Sequence, residues 1–563
     1  MRRAFACLVV GLVVGVFGAG IAVAGPGPNA TEQTPANASI EAIYPNPVAD
    51  GDAGEYVVLS VARETNVTGW SLADDHSTAR LPNATVSGRF ALSTDPARAR
   101  NYTDVPVYTL DGHVPLANSG ENLTLRDGQR TVASVSYEDT PEGELGRVEN
   151  GTIVWEPLGV TNFAVRRGDG GQVRTFVLPD AGGLPSDVLA SADDRILLAA
   201  YTFTSRDASE TLIAASERGV DVRVLVEGGP VGGMSRRQAR FLDRLAAGGV
   251  EVKAVGGDAA RVDHHHAKYA VVDERAMVLT ENWKPAGTGG RSSRGWGVVL
   301  SDSSLVDGLV DTFRADARWR DAIPWREFRE GREFSEPTPS DGSFARRYAP
   351  RRHDARGVAL LVAPDNAEAA VIERLDAAET SIDVVQAGVG GANQSFVRAL
   401  KRAADRGVEV RLLLSRAWYA VEENQAVADR LERWAKKADA SLSVRLARPR
   451  DRFGKIHAKG VVIDGETVLV GSLNWNDHSA RENREVVVAL AGQGPAGYFG
   501  RVFADDWQAA VWRLSVGLSV VVAVAALGAV LIGRRIEFAD ATGTTGEDRL
   551  LAEDFGELPD REF

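Results

Sequence analysis

The chain has almost no cysteine: Cys7 is the sole example in 563 residues. It lies in an N-terminal apolar run, so the mature protein is expected to have neither a disulfide nor a thiolate metal site. Lysine is scarce too, eight against 56 arginines. The net charge of -13 and pI near 5.3 exclude a grip on nucleic acid by bulk electrostatics and leave only a local basic patch for that purpose. With 44% apolar and 25% charged residues, neither bulk disorder nor a multi-spanning membrane protein fits. The chain is too long for one core, since domains usually run about 100–200 residues, and three folded units with tails are expected.

Both ends read as processing or anchoring segments. Met1-Arg2-Arg3, an apolar run to Val23, and Ala22 and Ala24 as small residues of a cleavage site suggest a signal peptide over 1–24, followed by a linker over 25–37. Leu514 to Gly533 holds 20 residues without a charge, enough to span roughly 30 Å as a helix. Trp507 and Trp512 precede it and Arg534-Arg535 follow, so the expectation is a single C-terminal transmembrane helix over 514–533. On that reading the protein sits in the cell membrane with its bulk extracellular and an acidic cytoplasmic tail over 534–563. Asn29, Asn37, Asn66, Asn83, Asn101, Asn122, Asn150 and Asn393 each begin an N-glycosylation pattern, consistent with that side.

Residues 38–140 alternate short apolar runs with Asn, Gly, Asp and Pro turns, which predicts an all-β sandwich. The segments Ile40-Glu41-Ala42-Ile43-Tyr44-Pro45-Asn46-Pro47, Thr68-Gly69-Trp70-Ser71-Leu72 and Leu116 to Leu125 resemble the lamin-tail domain, an immunoglobulin-like sandwich. The resemblance implies binding of an unknown surface partner and no catalysis.

After a linker over 141–171 the texture changes to strands alternating with amphipathic helices, and the second half repeats the first. Ala215 to Val226 recurs as Ala403 to Leu414, each a helix ending at glycine and running into a buried strand. Two α/β units are expected, over 172–330 and 356–510, joined by a linker over 331–355.

Each unit carries one copy of a motif: His266-x-Lys268-x4-Asp273 and His457-x-Lys459-x4-Asp464. On a strand, residues i and i+2 share a face, so His and Lys project together while the Asp faces away in a structural role. Asn282 follows the first copy, and Ser472 and Asn474 the second. The duplicated motif resembles the phospholipase D superfamily over roughly 172–510, implying two pseudo-symmetric α/β/α sandwich repeats around one site. Chemically, the lysines, asparagines and Ser472 would neutralise the nonbridging oxygens of a phosphodiester. One histidine would attack phosphorus to give a phosphohistidine, with His457 favoured over His266 although precedent in the superfamily favours the first motif, and the other would act as acid and then base, with no cofactor and no metal.

Glu485 matches the carboxylate that orients the histidine in such enzymes, and it is assigned to His457. The stretch after His266, Arg294-Gly295-Trp296-Gly297, holds no acid, so His266 is expected to lack an orienting partner. His264 and His265 read as solvated or supporting residues. Arg445, Arg448, Arg450, Arg452 and Lys455 form a basic run read as a solvated loop, with attraction of an anionic surface as the rival. The expected activity is a membrane-anchored phosphodiesterase or phosphatidyltransferase acting on phospholipid. The alternatives are a cell-surface nuclease and a non-enzymatic binding protein with a degenerate repeat.

Overall fold

A computed structural model describes residues 38–47, 51–257, 259–336, 342–510, 524–525 and 527–530. The chain forms two compact units: one runs to Asn162 and adds Gly256–Asp263 and Arg318–Ala322, and the other contains Phe163–Val255, His264–Ala317 and the residues from Ile323 onward.

The first unit is strand-rich. One sheet runs in the order Thr152–Pro157, Glu144–Glu149, Ala38–Tyr44, Tyr56–Asn66, Thr85–Ser93 and Val107–Thr109; the other is Thr78–Arg80, Trp70–Ala73, Gly120–Asp127 and Arg130–Glu138. Period-two alternation explains the shared core: Leu123 and Leu125 are buried while Asn122 and Arg126 are exposed, and the leucines join Ile43, Leu59, Trp70 and Phe90. Residues 141–157, expected as linker, instead supply two strands of the first sheet, because Ile153 and Trp155 pack against this core. The sequon asparagines at 66, 83, 101, 122, 150 and 393 are all exposed.

In the second unit two sheets follow the same plan. The first runs Glu251–Val255, Asp221–Glu227, Arg195–Ala200, Tyr269–Val272, Arg275–Leu279, Ser293–Leu300 and Gly171–Leu178. The second runs Leu442–Leu446, Glu409–Leu414, Ser381–Gln386, Gly460–Ile463, Thr467–Gly471, Asn483–Ala491 and Gly357–Ala363. In each, the first three strands are parallel and the rest antiparallel. The crossover helix Arg206–Glu217 starts at Ser205, whose side chain accepts from the Ala208 N–H. Gly219 follows it at φ 95°, as Gly407 at φ 92° follows Ser395–Asp405, a left-handed stop that allows immediate entry into the next strand.

The expected linkers hold exchanged edge strands. Arg166–Gly168, ahead of the first repeat, pairs with Gly357–Ala363 of the second, and Arg351–Ala355, ahead of the second, pairs with Gly171–Leu178 of the first. Trp296 stacks on Phe499 at 4.5 Å, and a Cβ on Gly460 would lie 2.2 Å from the Trp296 ring, so glycine is required where the repeats meet. Burial of each such large side chain contributes about 1.5–3 kcal/mol.

The transmembrane helix expected over 514–533 is a correction. Among the described residues no helix is long and apolar enough to cross a membrane. Most of that segment, the signal peptide, the 25–37 linker and the 534–563 tail lie outside the described residues.

Candidate active site

Each motif histidine is carried across to the opposite repeat. His264–His265 forms a short strand parallel to Asn483–Ala491, and the His266 N–H donates to the Arg484 carbonyl at 2.9 Å. Lys455–Ile456 pairs in the same way with Ser293–Leu300, and the His457 N–H donates to the Arg294 carbonyl at 3.0 Å. Two fully buried arginines lock these crossings. Arg294 binds Asp180 at 2.7 Å and Asp506 at 3.0 Å; Arg484 binds Asp365 at 2.8 Å and Asp316 at 3.1 Å. Removing one partner of such a buried network costs about 3–5 kcal/mol, because a charge is left uncompensated.

The crossing decides the acid partners and overturns two expectations. Glu485 binds His266, not His457, with its two oxygens 2.8 and 2.9 Å from Nδ1. His266 therefore does not lack a carboxylate. His457 Nδ1 lies 3.1 Å from the Thr280 carbonyl and 3.3 Å from Glu281 of the first repeat. A carbonyl can only accept, so Nδ1 carries the proton of neutral His457 and Nε2 keeps the lone pair.

Glu281 was not read from the sequence. It corresponds to Leu473 of the second repeat, while Gly295 stands where the second repeat has Glu485. A Cβ on Gly295 would come within 2.1 Å of Glu281 Cγ, so the missing side chain at 295 is the space that Glu281 fills. Its one signal was its place beside Asn282, uninformative until the crossing is known. Tyr201 was also missed: its ring lies 4.7 Å from that of His266, and Lys268 Nζ lies 5.1 Å from its centroid.

The two acids differ electrostatically. Burial raises the Glu485 carboxyl, but His266, Lys268 and Ser472 outweigh it and hold the group below its ordinary value. Among the described residues Glu281 has no hydrogen-bond partner on either oxygen, and burial pushes it up to about 7 against the pull of Lys459, Lys284, Lys455 and Lys268. Burial pushes His266 down to about 4, opposed by Glu485. Burial and then Lys459, Lys284, Lys268 and Lys455 hold His457 well below its ordinary value. Lys268 is likewise depressed by burial, and Lys459 is brought down to about 8. Both lysines fold back on their motif, donating to the carbonyls of His266 at 2.5 Å and His457 at 2.8 Å.

The remaining motif residues divide between the site and its walls. Asn282 is buried with its Oδ1 unpartnered, and Asn474 is half-buried. The Ser472 hydroxyl accepts from the Val486 N–H at 3.0 Å, as Thr280 accepts from Trp296 at 2.9 Å, so both tie the turn to the neighbouring strand. Asp273 accepts from the N–H groups of Asp193, Asp194 and Arg195, and Asp464 from those of Glu379, Thr380 and Ser381, each capping the entry to a central strand. His265 is buried, not solvated, with Nε2 3.1 Å from Asp316. The basic run is partly structural as well: Arg452 pairs with Asp506 at 2.9 Å, and Arg445 donates to the Trp507 carbonyl at 3.0 Å.

The expectation that His and Lys of each motif lie on one strand is corrected: 266–268 and 457–459 are irregular stretches between two strands, and there the two histidines, each beside a buried carboxylate of the other repeat, form one duplicated site. The family model described as "Cardiolipin synthase, PLD-like domain" matches residues 186–317 and again 371–507. Each repeat is similar to that phospholipase D-like domain, over matched stretches that together make up just under half of the chain. The chain is similar to the crystal structure of phosphatidylserine synthase from Haemophilus influenzae, at 13% identity and a TM-score of 0.48 over 62% of this chain and 89% of that one. It is also similar to polyphosphate kinase from Porphyromonas gingivalis, at 16% identity and a TM-score of 0.41 over 64% and 55% of the two chains. Nuc from Salmonella typhimurium, a phospholipase D family member, gives 22% identity and a TM-score of 0.24 over 27% and 96%. No curated protein matches the chain.

Proposed function

We propose that this protein is a phosphodiesterase or phosphatidyltransferase acting on phospholipid through a phosphohistidine intermediate. The observation that carries the reading is the bidentate Glu485–His266 pair with Lys268 and Lys459 beside it. With Nδ1 bound to an ionised carboxylate, His266 presents Nε2 as the nucleophile. His457, neutral and fixed in one tautomer by the Thr280 carbonyl, is the second proton-transfer group. Lys268, Lys459, Asn282 and Asn474 face the phosphoryl oxygens. Phospholipid is preferred as substrate class because the matching family model carries the name of a phospholipid-making enzyme. The signal pattern over 1–24 and the exposed sequons support an extracellular location, and the lamin-tail-like first unit is read as a binding module.

A second reading, a nuclease, has one observation in its favour: Trp418 and Tyr419 are exposed beside Lys455, an arrangement on which bases stack. The test is to incubate the purified chain with phosphatidylcholine vesicles and, separately, with single-stranded DNA. Choline or phosphatidate release without DNA cleavage is the expected result; cleavage of DNA alone would replace the proposal by the nuclease.

A further inference from the structure

The basic run from Arg445 to Lys455 is only partly explained by packing. Arg450 and Arg452, with Arg347 from the segment ahead of the second repeat, line a cavity of about 760 Å³ whose other walls include Tyr348, Asp505 and Gln508. None of these residues belongs to the histidine site. Asp505 is the single acid among them, and it accepts from the Tyr348 hydroxyl at 2.5 Å. Three guanidinium groups thus face one carboxylate, in a chain whose net charge is -13. The turn that carries two of them is held at a cost: the Arg452 N–H donates to the Pro449 carbonyl at 3.0 Å, with left-handed φ of 46° at Arg450 and 60° at Asp451.

A comparison of the two arginine locks shows that the fold does not require these cations. Around Arg484, the second partner of Asp316 is His265 at 3.1 Å, and Phe163 gives its backbone N–H to Asp365 at 3.2 Å. Arg484 has all three nitrogens engaged: Asp316 takes Nε and Nη2, while Asp365 and the Ala363 carbonyl take Nη1. Around Arg294 the same two places are cationic. Arg452 is the second partner of Asp506 at 2.9 Å, and Arg347 gives its backbone N–H to Asp180 at 2.6 Å. Nη2 of Arg294 and Nη2 of Arg452 are both buried without a hydrogen-bond partner among the described residues, and the Arg452 side chain is only 5% exposed. A buried guanidinium nitrogen without an acceptor is costly, so the second lock carries donors that its own carboxylates do not satisfy.

We propose that Arg347, Arg450 and Arg452 form an anion site separate from the histidine site, and that its ligand is a phosphate monoester. The planar fork of arginine matches paired phosphate oxygens, and three such forks converge on one cavity. A monoester carries about -1.5 to -2 at pH 7, which answers three guanidinium groups better than the single charge of a diester. Water occupies about 30 Å³ in the liquid, and a phosphate ion is only a few waters in size, so the cavity has room for the organic group of a monoester as well. A soluble monoester and a lipid with a monoester headgroup present the same chemistry to these arginines. No bond is made or broken at this site, and the proposal stands apart from the phospholipid reading.

The test is calorimetric titration of the full chain with phenyl phosphate, a soluble monoester. Binding should weaken about tenfold or more in the Arg347→Gln/Arg450→Gln double variant, as expected when charge-assisted contacts are lost, and should weaken in Arg452→Gln as well. Arg347 and Arg450 are exposed, so the double variant should keep the native melting temperature and the native turnover of an activated aryl phosphodiester. His266→Ala should retain a phenyl phosphate site of native affinity. Absence of binding, or binding that is lost in His266→Ala and untouched in the double variant, would overturn the site. Orthophosphate bound as tightly as phenyl phosphate would overturn the monoester as its ligand. Vesicle flotation separates the two sources. Capture of the native chain but not of the double variant by phosphatidylcholine vesicles containing phosphatidate supports the site with a lipid headgroup as its ligand; arginine-dependent binding of phenyl phosphate without such capture supports it with a soluble monoester.

Discussion

The two repeats share a sheet order, a motif and a pair of buried arginine locks, yet they solve the orientation of a histidine differently. The second repeat places Glu485 on the edge of a strand, where both oxygens reach His266 and Ser472 and Asn483 add support. The first has Gly295 at that position and sends Glu281 into the vacated volume from the preceding turn, close to His457 but without a hydrogen bond on either oxygen. A carboxylate can thus move along the sequence while the histidine keeps an acid neighbour. The move costs alignment and leaves the two histidines chemically unequal.

The inequality is broken most severely at the histidines themselves. His266→Ala and His457→Ala should each lower turnover by about a thousandfold or more, with little further loss in the double variant, since the groups act as one unit. An activated aryl phosphodiester should separate them: mass spectrometry should find a phosphoryl adduct on His266 in His457→Ala and none on His457 in His266→Ala. An adduct on His457 would reverse the roles.

The acids should follow in the order of their alignment. Glu485→Gln is expected to cost roughly 10–100-fold in kcat, and Glu281→Gln distinctly less. Gly295→Ala, which forces a Cβ against Glu281, should destabilise the protein by about 1–3 kcal/mol. Pairing Glu281→Ala with Gly295→Glu clears that clash and moves the acid to the position it has in the second repeat. Steady-state kinetics of the pair should exceed those of Glu281→Ala alone; no recovery would mean that Glu281 does not serve His457.

Stability should carry the same signature with pH. A carboxyl raised to about 7 in the folded state, against 4.5 unfolded, binds its proton more tightly when folded. Its favourable contribution is complete below the unfolded value and is lost as pH rises through about 7. Glu281→Gln should therefore melt a few degrees higher than the native protein at pH 8, with the gap narrowing toward pH 5. The depressed Glu485 has the opposite sign, present above its unfolded value and lost as pH falls through its folded one, so Glu485→Gln should gain nothing at pH 8.

The smallest expected effect is that of chelation. With lysines and asparagines supplying the positive charge, exhaustive EDTA should leave turnover within about twofold. Loss restored by zinc or magnesium would require a metal in the cycle.

Local patterns made the repeats and the motif residues legible. A glycine after a helix fixes where a strand begins, and that short-range rule needs no partner; the strand expected to carry His266 and Lys268 is instead interrupted at 266–268. The same rules failed wherever the chain crosses between repeats. The edge strands Arg166–Gly168 and Arg351–Ala355 were read as linker because each is short and pairs with a strand distant in sequence. Glu485 was assigned to the nearer histidine because proximity in sequence was the sole available guide.

The sequence by itself determined that two copies of a histidine–lysine motif exist and that each has a strand directly after it, since strand patterns and helix stops are set within a few residues. Only the tertiary structure decided that His266 takes Glu485 and that Glu281 fills the volume left free at Gly295. The pairing of His266 with Glu485 and of His457 with the first repeat depends on contacts between segments more than 150 residues apart, such as 294 and 457 or 266 and 485, whereas Gly295 and Glu281 share volume across a single turn. No local propensity encodes a distance of that kind.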